Sequence, residues 1–413
     1  MKGILVIIDG LGDLPNKLLG NKTPLEAAKT PHIDFFAARG EMGLMHPVRS
    51  GFVPESDEAL LSIFGNEPTP GCRGQFEALG VGLNPLRGDL ALRVNFATID
   101  SIKSGKIVDR RVGRTLSSKE IDLLSKSLKN ISLPVKFEFV PTIQHRGVLV
   151  FRGGMSEGVS GNDMVYSSGR VAMQERISLC IPKDDEENSH YTANILNEFV
   201  EKAAYVLREH PVNLSRVKKG LMPANYLLLR SAGVDFPKIK EYRRWCSMGY
   251  MPLEIGFAKK SSMGVFSFDY PKQKGFDAYE NLEDGLNKAC KFAIKIIKKQ
   301  KDKFDYCYIH LRETDIAGHD NKPVEKKIMI EEIDRTLFKF LRNFAPQNKI
   351  KVAVTGDHST PCKFKVHSAD PVPVLLYDFQ IPREKHFNEK EARNGSLGRI
   401  EGNEFLSRIG FDK

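Results

Sequence analysis

The sequence predicts an α/β protein with a doubly wound, mostly parallel sheet and a smaller α+β unit inserted into it. Three observations carry that reading. Apolar runs at Ile4–Ile8, Tyr306–Leu311 and Ile350–Val354 each end abruptly in acidic or histidine residues, as buried parallel strands feeding loops do. Helical apolar periodicity lies between the downstream runs. Residues 71–170 read differently, with short strands punctuated by glycines.

Taken in chain order, Ile4–Ile8 is the first strand, closed by Asp9-Gly10-Leu11-Gly12-Asp13. Pro54 closes a loop and a helix begins near Ser56. From this segment alone Ser56 reads as the helix N-cap, because Ser before Asp57-Glu58-Ala59-Leu60 is favourable capping chemistry. The insert holds strands at Leu90–Phe96, Val135–Val140 and Val148–Phe151 and a helix at Ser118–Leu128. Leu286, Ala289, Cys290, Ala293 and Ile297 share one helical face, and Ile330, Ile333, Leu337 and Leu341 another. The last two strands lead into Arg312-Glu313-Thr314-Asp315 and Thr355-Gly356-Asp357-His358. The implied division is a larger unit of residues 1–70 with 171–413 and an insert of 71–170.

Composition narrows the function. In 413 residues, 41% hydrophobic and 28% charged, neither disorder nor a collagen or disulfide scaffold is called for. The net charge is +10, and 15 Lys/Arg against 9 Asp/Glu place +6 of it within residues 71–170. No nucleic-acid motif accompanies that charge, and Lys298-Lys299-Gln300-Lys301 reads as a solvated helix end. The six scattered cysteines point to a reducing, cytoplasmic setting. No apolar run approaches the ~20 residues of a membrane span.

Carboxylates and histidines at the C-terminal ends of parallel strands stand where open α/β sheets place ligands. Asp9, Asp315, His319, Asp357, His358 and His367 supply oxygen and imidazole donors suited to divalent ions, and Asp315 and His319 lie one helical turn apart. A serine at a helix N-terminus beside such ions can attack a phosphoryl group, which gives Ser56 a second reading as nucleophile.

With these segments, the chain resembles the archaeal type of cofactor-independent phosphoglycerate mutases, a branch of the alkaline-phosphatase-like metalloenzymes. The resemblance rests on Asp9–Asp13, Thr23–Pro31, Ser56-Asp57, Arg93–Thr98, Asp109–Arg114, His145–Val148, His210–Asn213, Thr314–Asp320, Thr355–Pro361 and His367-Ser368, which run in order along nearly the whole chain. It implies an alkaline-phosphatase-like fold and two divalent ions, manganese first, with zinc, cobalt or magnesium as alternatives. Asp315, His319 and His367 would hold one ion; Asp9, Asp357, His358 and Ser56 the other. Ser56 would accept the phosphoryl group of 3-phosphoglycerate and return it to the other hydroxyl, so no bisphosphoglycerate is needed. Arg93, Asp109, Arg110, Arg114, His145 and Arg146 would grip the small-molecule substrate.

Two stretches depart from the family pattern. Asn162-Asp163-Met164-Val165 stands where the family has Asp-Pro-His, and Val265–Gly275 lacks the usual Thr-Gly. A phosphomonoesterase, or a mutase for another phosphosugar, is the alternative within the same superfamily. A basic binding protein with a dead metal site is the alternative outside it.

Overall fold

The computed structural model describes residues 1–69, 71–167, 170–173, 175–273 and 278–412. Its strands are β1 (Gly3–Ile8), β2 (Gly40–His46), β3 (Leu90–Ile99), β4 (Ile107–Asp109), β5 (Phe137–Pro141), β6 (Arg146–Phe151), β7 (Met164–Ser167), β8 (Arg170–Met173), β9 (Tyr226–Gly233), β10 (Trp245–Met248), β11 (Gly264–Phe266), β12 (Tyr306–Leu311), β13 (Lys351–Thr355), β14 (Val372–Tyr377) and β15 (Gly398–Glu401). The larger sheet runs β11-β10-β12-β1-β13-β14-β2-β15. It is parallel except where β14 meets β13 and β2.

Strand β1 shows why its sequence is apolar without alternation. Ile4, Val6 and Ile8 enter the core on one face of the sheet, and Leu5 and Ile7 enter the core on the other. Both helical faces read from the sequence pack on the first side. Helices Ser56–Ile63 and Pro252–Lys260 contribute Leu60, Leu61, Leu253 and Phe257 to the second. Burial on two sides is what makes the sheet doubly wound. No helix among the described residues is long and apolar enough to cross a membrane, and all six cysteines are buried thiols outside any disulfide.

The smaller sheet is antiparallel, β5-β6-β3, with β4 and β9 also paired to β3. The hydrogen-bonded unit therefore runs past residue 170, where the sequence suggested an end. Strand β9 pairs with β3 along Tyr226–Gly233. Helix Glu187–Arg208 packs Leu196, Phe199, Ala203 and Leu207 into the same core, with the Phe199 ring 5.1 Å from Phe137. Charge and glycine content change near residue 170, but the apolar surface that must be covered does not.

Helix Arg73–Gly80 joins the two units. A Cβ on Gly74 would stand 2.4 Å from the Ala91 carbonyl oxygen, and one on Gly256 would stand 1.8 Å from that of Phe76. Only hydrogen at both positions lets this helix lie between β3 and helix Pro252–Lys260.

Candidate active site

Strands β12, β1 and β13 are neighbours at the centre of the sheet, so the residues following them meet at one edge. Gly10 holds the first of these turns. Its φ is +63°, and its N–H donates to Asp357 Oδ1 at 3.0 Å. Asp315 and His319 stand on helix Glu313–His319, with His319 Nε2 3.4 Å from Asp315 Oδ1. His367 Nε2 lies 3.7 Å from the same oxygen. His358 Nε2 lies 3.3 Å from Asp9 Oδ1, 3.3 Å from Asp357 Oδ2 and 3.3 Å from Ser56 Oγ. All seven residues expected to bind metal are thus gathered in one place.

The tautomers follow from the partners. Carbonyl oxygens only accept, so Nδ1–H of His319 donates to Lys365 O at 2.8 Å and Nδ1–H of His367 donates to Pro54 O at 2.8 Å. The Thr360 hydroxyl donates to Asp315 Oδ1 at 2.8 Å and therefore accepts from His358 Nδ1 at 3.0 Å. Three bare Nε2 atoms are left facing inward, the form that binds metal. Burial lowers the His358 pKa to about 3 and that of His319 to about 4, keeping both rings neutral. Both Asp9 oxygens and Asp357 Oδ2 are buried with no hydrogen-bond partner among the described residues. Bare imidazoles facing unpartnered carboxylate oxygens fit divalent cations.

The donors fall into groups that differ from the expected sets. Asp315, His358 and His367 form one cluster, and Asp9, His310 and Asp357 the other. His358 stands between them. His310 was missed in the sequence because it lies inside β12 rather than after it. Its signal was a polar residue in a strand buried on both faces. Its Nε2 lies 3.6 Å from Asp9 Oδ2, and its Nδ1 meets the Tyr308 hydroxyl at 2.7 Å. Burial opposes its charge, but Asp9, Glu254 and Asp357 prevail and raise its pKa to about 9.

Ser56 is not the cap. It is the first residue inside its helix; Glu55 occupies the cap position, and its N–H donates to Glu58 Oε2 at 2.9 Å. The Ser56 side chain is thereby left for the site. It opens into a pocket lined by Arg73, Arg93, Arg110, Arg111, Arg146, Arg230 and Arg312, together with His145.

Some of these cations are compensated. Arg73 meets Glu77 at 2.8 Å, Arg110 and Arg230 share the buried Asp163, and Arg312 lies 3.6 Å from Glu254. Arg93 is buried, with Nε 3.9 Å from Glu77, and Arg146 is half-buried; the Nε atoms of both find no hydrogen-bond partner among the described residues. Burial, then the surrounding guanidiniums, pull both well below the usual arginine range. Arg93 also stands directly opposite Arg230 across β3 and β9. Like charges in that position repel, so the fold carries an excess of positive charge that an anion would relieve.

Two expected substrate residues lie elsewhere. Asp109 Oδ1 accepts from the Arg111 and Gly113 N–H groups at 2.7 and 2.9 Å and so builds a turn. Arg114 pairs with Asp320 at 2.9 Å. Arg73, Arg111, Arg230 and Arg312 enter the pocket instead. Asp163 is buried under Arg110 and Arg230. The side chains of Met164 and Val165, and Lys274 and Gly275 at the end of the other divergent stretch, lie outside the described residues.

Comparison with known proteins agrees with this geometry. Residues 37–213 match the family described as 2,3-bisphosphoglycerate-independent phosphoglycerate mutase, and residues 278–413 match the metalloenzyme superfamily. A 2,3-bisphosphoglycerate-independent phosphoglycerate mutase of Pyrococcus furiosus is 40% identical, covering 98% of this chain and 95% of its own. The PH0037 protein from Pyrococcus horikoshii superposes with a TM-score of 0.72 at 31% identity, covering 100% and 98% of the two chains. The cofactor-independent phosphoglycerate mutase from Thermoplasma acidophilum does so with 0.56 at 29%, covering 99% of each. Identity sustained across almost the entire length of both chains shows that this chain belongs to the 2,3-bisphosphoglycerate-independent phosphoglycerate mutase family.

Proposed function

We propose that the protein interconverts 3-phosphoglycerate and 2-phosphoglycerate through a phosphoserine at Ser56. The carrying observation is that Ser56 Oγ, freed from capping, lies between the gathered ligands and the arginine pocket. Ser56 Oγ attacks phosphorus, the bond from phosphorus to the glycerate oxygen breaks, and that oxygen takes up the proton the serine loses. Glycerate then turns in the pocket. Its other hydroxyl attacks the phosphoserine, and Ser56 recovers a proton as it leaves.

Asp315, His319 and His367, with Asp9, Asp357 and His358, would hold two divalent ions, for which manganese is our assignment. Such ions supply a lowered serine pKa and charge neutralisation on the transferring phosphoryl. Arg93 and Arg146 orient the anionic ends of the substrate. Arginines from the smaller sheet and Arg312 from the larger one close the pocket against water, which would otherwise take the phosphoryl group.

The test is incubation of the purified protein with 3-phosphoglycerate and manganese, without bisphosphoglycerate. Formation of 2-phosphoglycerate is expected. Inorganic phosphate as the sole product would instead make the protein a phosphomonoesterase.

A further inference from the structure

Asp320 directly follows His319 at the end of helix Glu313–His319, where a negative charge opposes the helix dipole. Its backbone N–H closes the last turn on Ile316 O at 3.1 Å, but its carboxylate does nothing for the helix. It serves the smaller unit instead: Arg114 Nε lies 2.9 Å from Oδ2 and donates to Oδ1 at 3.1 Å, and Arg111 Nη1 reaches Oδ1 at 3.5 Å. From the larger unit, the Tyr279 hydroxyl donates to Oδ2 at 2.9 Å, with the Lys322 ammonium over its ring. Gln273 Nε2 donates to the Arg114 carbonyl at 2.9 Å.

The loop that brings the arginines there is strained. Val112, Gly113 and Arg114 have φ of +53°, +60° and +54°. A β-branched valine in the left-handed region is unfavourable, and such strain persists where the surroundings over-determine it. Here the Asp109 carboxylate holds the turn and Val112 is fully buried. The strained turn places Arg114 on Asp320 and Arg111 where it reaches both Asp320 and the pocket that contains Ser56.

Resting on the mutase reading above, we propose that Asp320 is a positioning residue that latches the arginine-bearing unit over Ser56 while glycerate turns. The latch decides the fate of the phosphoserine. With it closed, a glycerate hydroxyl attacks phosphorus and the serine oxygen departs. With it open, glycerate escapes and water attacks: the phosphorus–serine bond breaks, inorganic phosphate forms, and the serine is reprotonated.

Asp320→Asn and, from the other unit, Arg114→Gln remove the ion pair with little change in volume. Each should raise the ratio of inorganic phosphate to 2-phosphoglycerate at least five-fold and enlarge the radius of gyration measured by small-angle X-ray scattering. The double variant should do no more than either single one. The manganese isotherm should stay unchanged, which separates a latch from a seat for the neighbouring His319. Either an unchanged ratio and radius in both variants, or lost manganese affinity at unchanged radius in Asp320→Asn, overturns the proposal. Wild type that forms no 2-phosphoglycerate overturns the mutase reading, and the radius then decides the latch by itself.

Discussion

Ser56 illustrates how a single position can be read two ways until its neighbour is placed. With Glu55 as the cap, Ser56→Ala removes the proposed nucleophile without uncapping the helix. Turnover should fall to background while urea unfolding shifts by less than ~1 kcal/mol, the worth of one ordinary hydrogen bond. Mass spectrometry of the quenched wild type should find phosphate on Ser56; phosphate on another residue refutes the assignment.

His310 makes a prediction about pH. Its folded pKa of about 9 lies above the usual histidine value, and Asp357 is raised too, by burial and Asp9. Both groups hold protons longer in the folded chain than in the unfolded one. The stability they give the metal-free protein is therefore lost as pH rises, for His310 between roughly 6.5 and 9. Melting of chelated protein across that range should fall, and His310→Gln should flatten the slope. The candidate metal ligands after the strands were legible because strand-end acids and histidines stand out in sequence. His310 in β12 and Arg230 in β9 were not, because a polar residue inside an apolar strand carries no sign of what faces it, and Arg73 opens a helix of mixed character.

At the level of elements, the loop after β1 is tied down by a buried ion pair. Lys326, on helix Pro323–Ile333, donates to Asp13 Oδ2 at 2.7 Å, to Thr360 O at 3.0 Å and to Gly12 O at 3.3 Å. The Cys362 N–H donates to Asp13 Oδ1 at 3.1 Å. One ammonium thus joins the loops that carry Asp9 and His358. Lys326→Ala strands a buried carboxylate and should cost about 3 to 5 kcal/mol in denaturant unfolding. Replacing Asp13 by leucine in the Lys326→Met background should recover most of that loss; failure to recover would mean that the ammonium's carbonyl contacts matter more than the charge pair. Strands β1, β12 and β13 were readable because burial on both faces leaves an unbroken apolar run. The partnership of β9 with β3 was not, since an apolar run does not name the sheet it joins.

For the whole molecule, ion binding and stability are linked. The site draws on segments from Asp9 to His367, so an ion held there should stabilise the whole larger unit. Manganese at a thousand times its dissociation constant should add about 4 kcal/mol to unfolding, and excess chelator should remove both that increment and the activity. Full activity after long equilibration with chelator would sink the metal assignment. The order of strands has a consequence for synthesis as well. Strand β1 is followed by its two partners, β12 and β13, only about 300 and 350 residues later. At ~5 to 20 residues per second, the first interval lasts roughly 15 to 60 s on the ribosome. Throughout it Ile4–Ile8 lacks both of its sheet partners, whereas the antiparallel sheet has its last strand, β9, synthesised before β12.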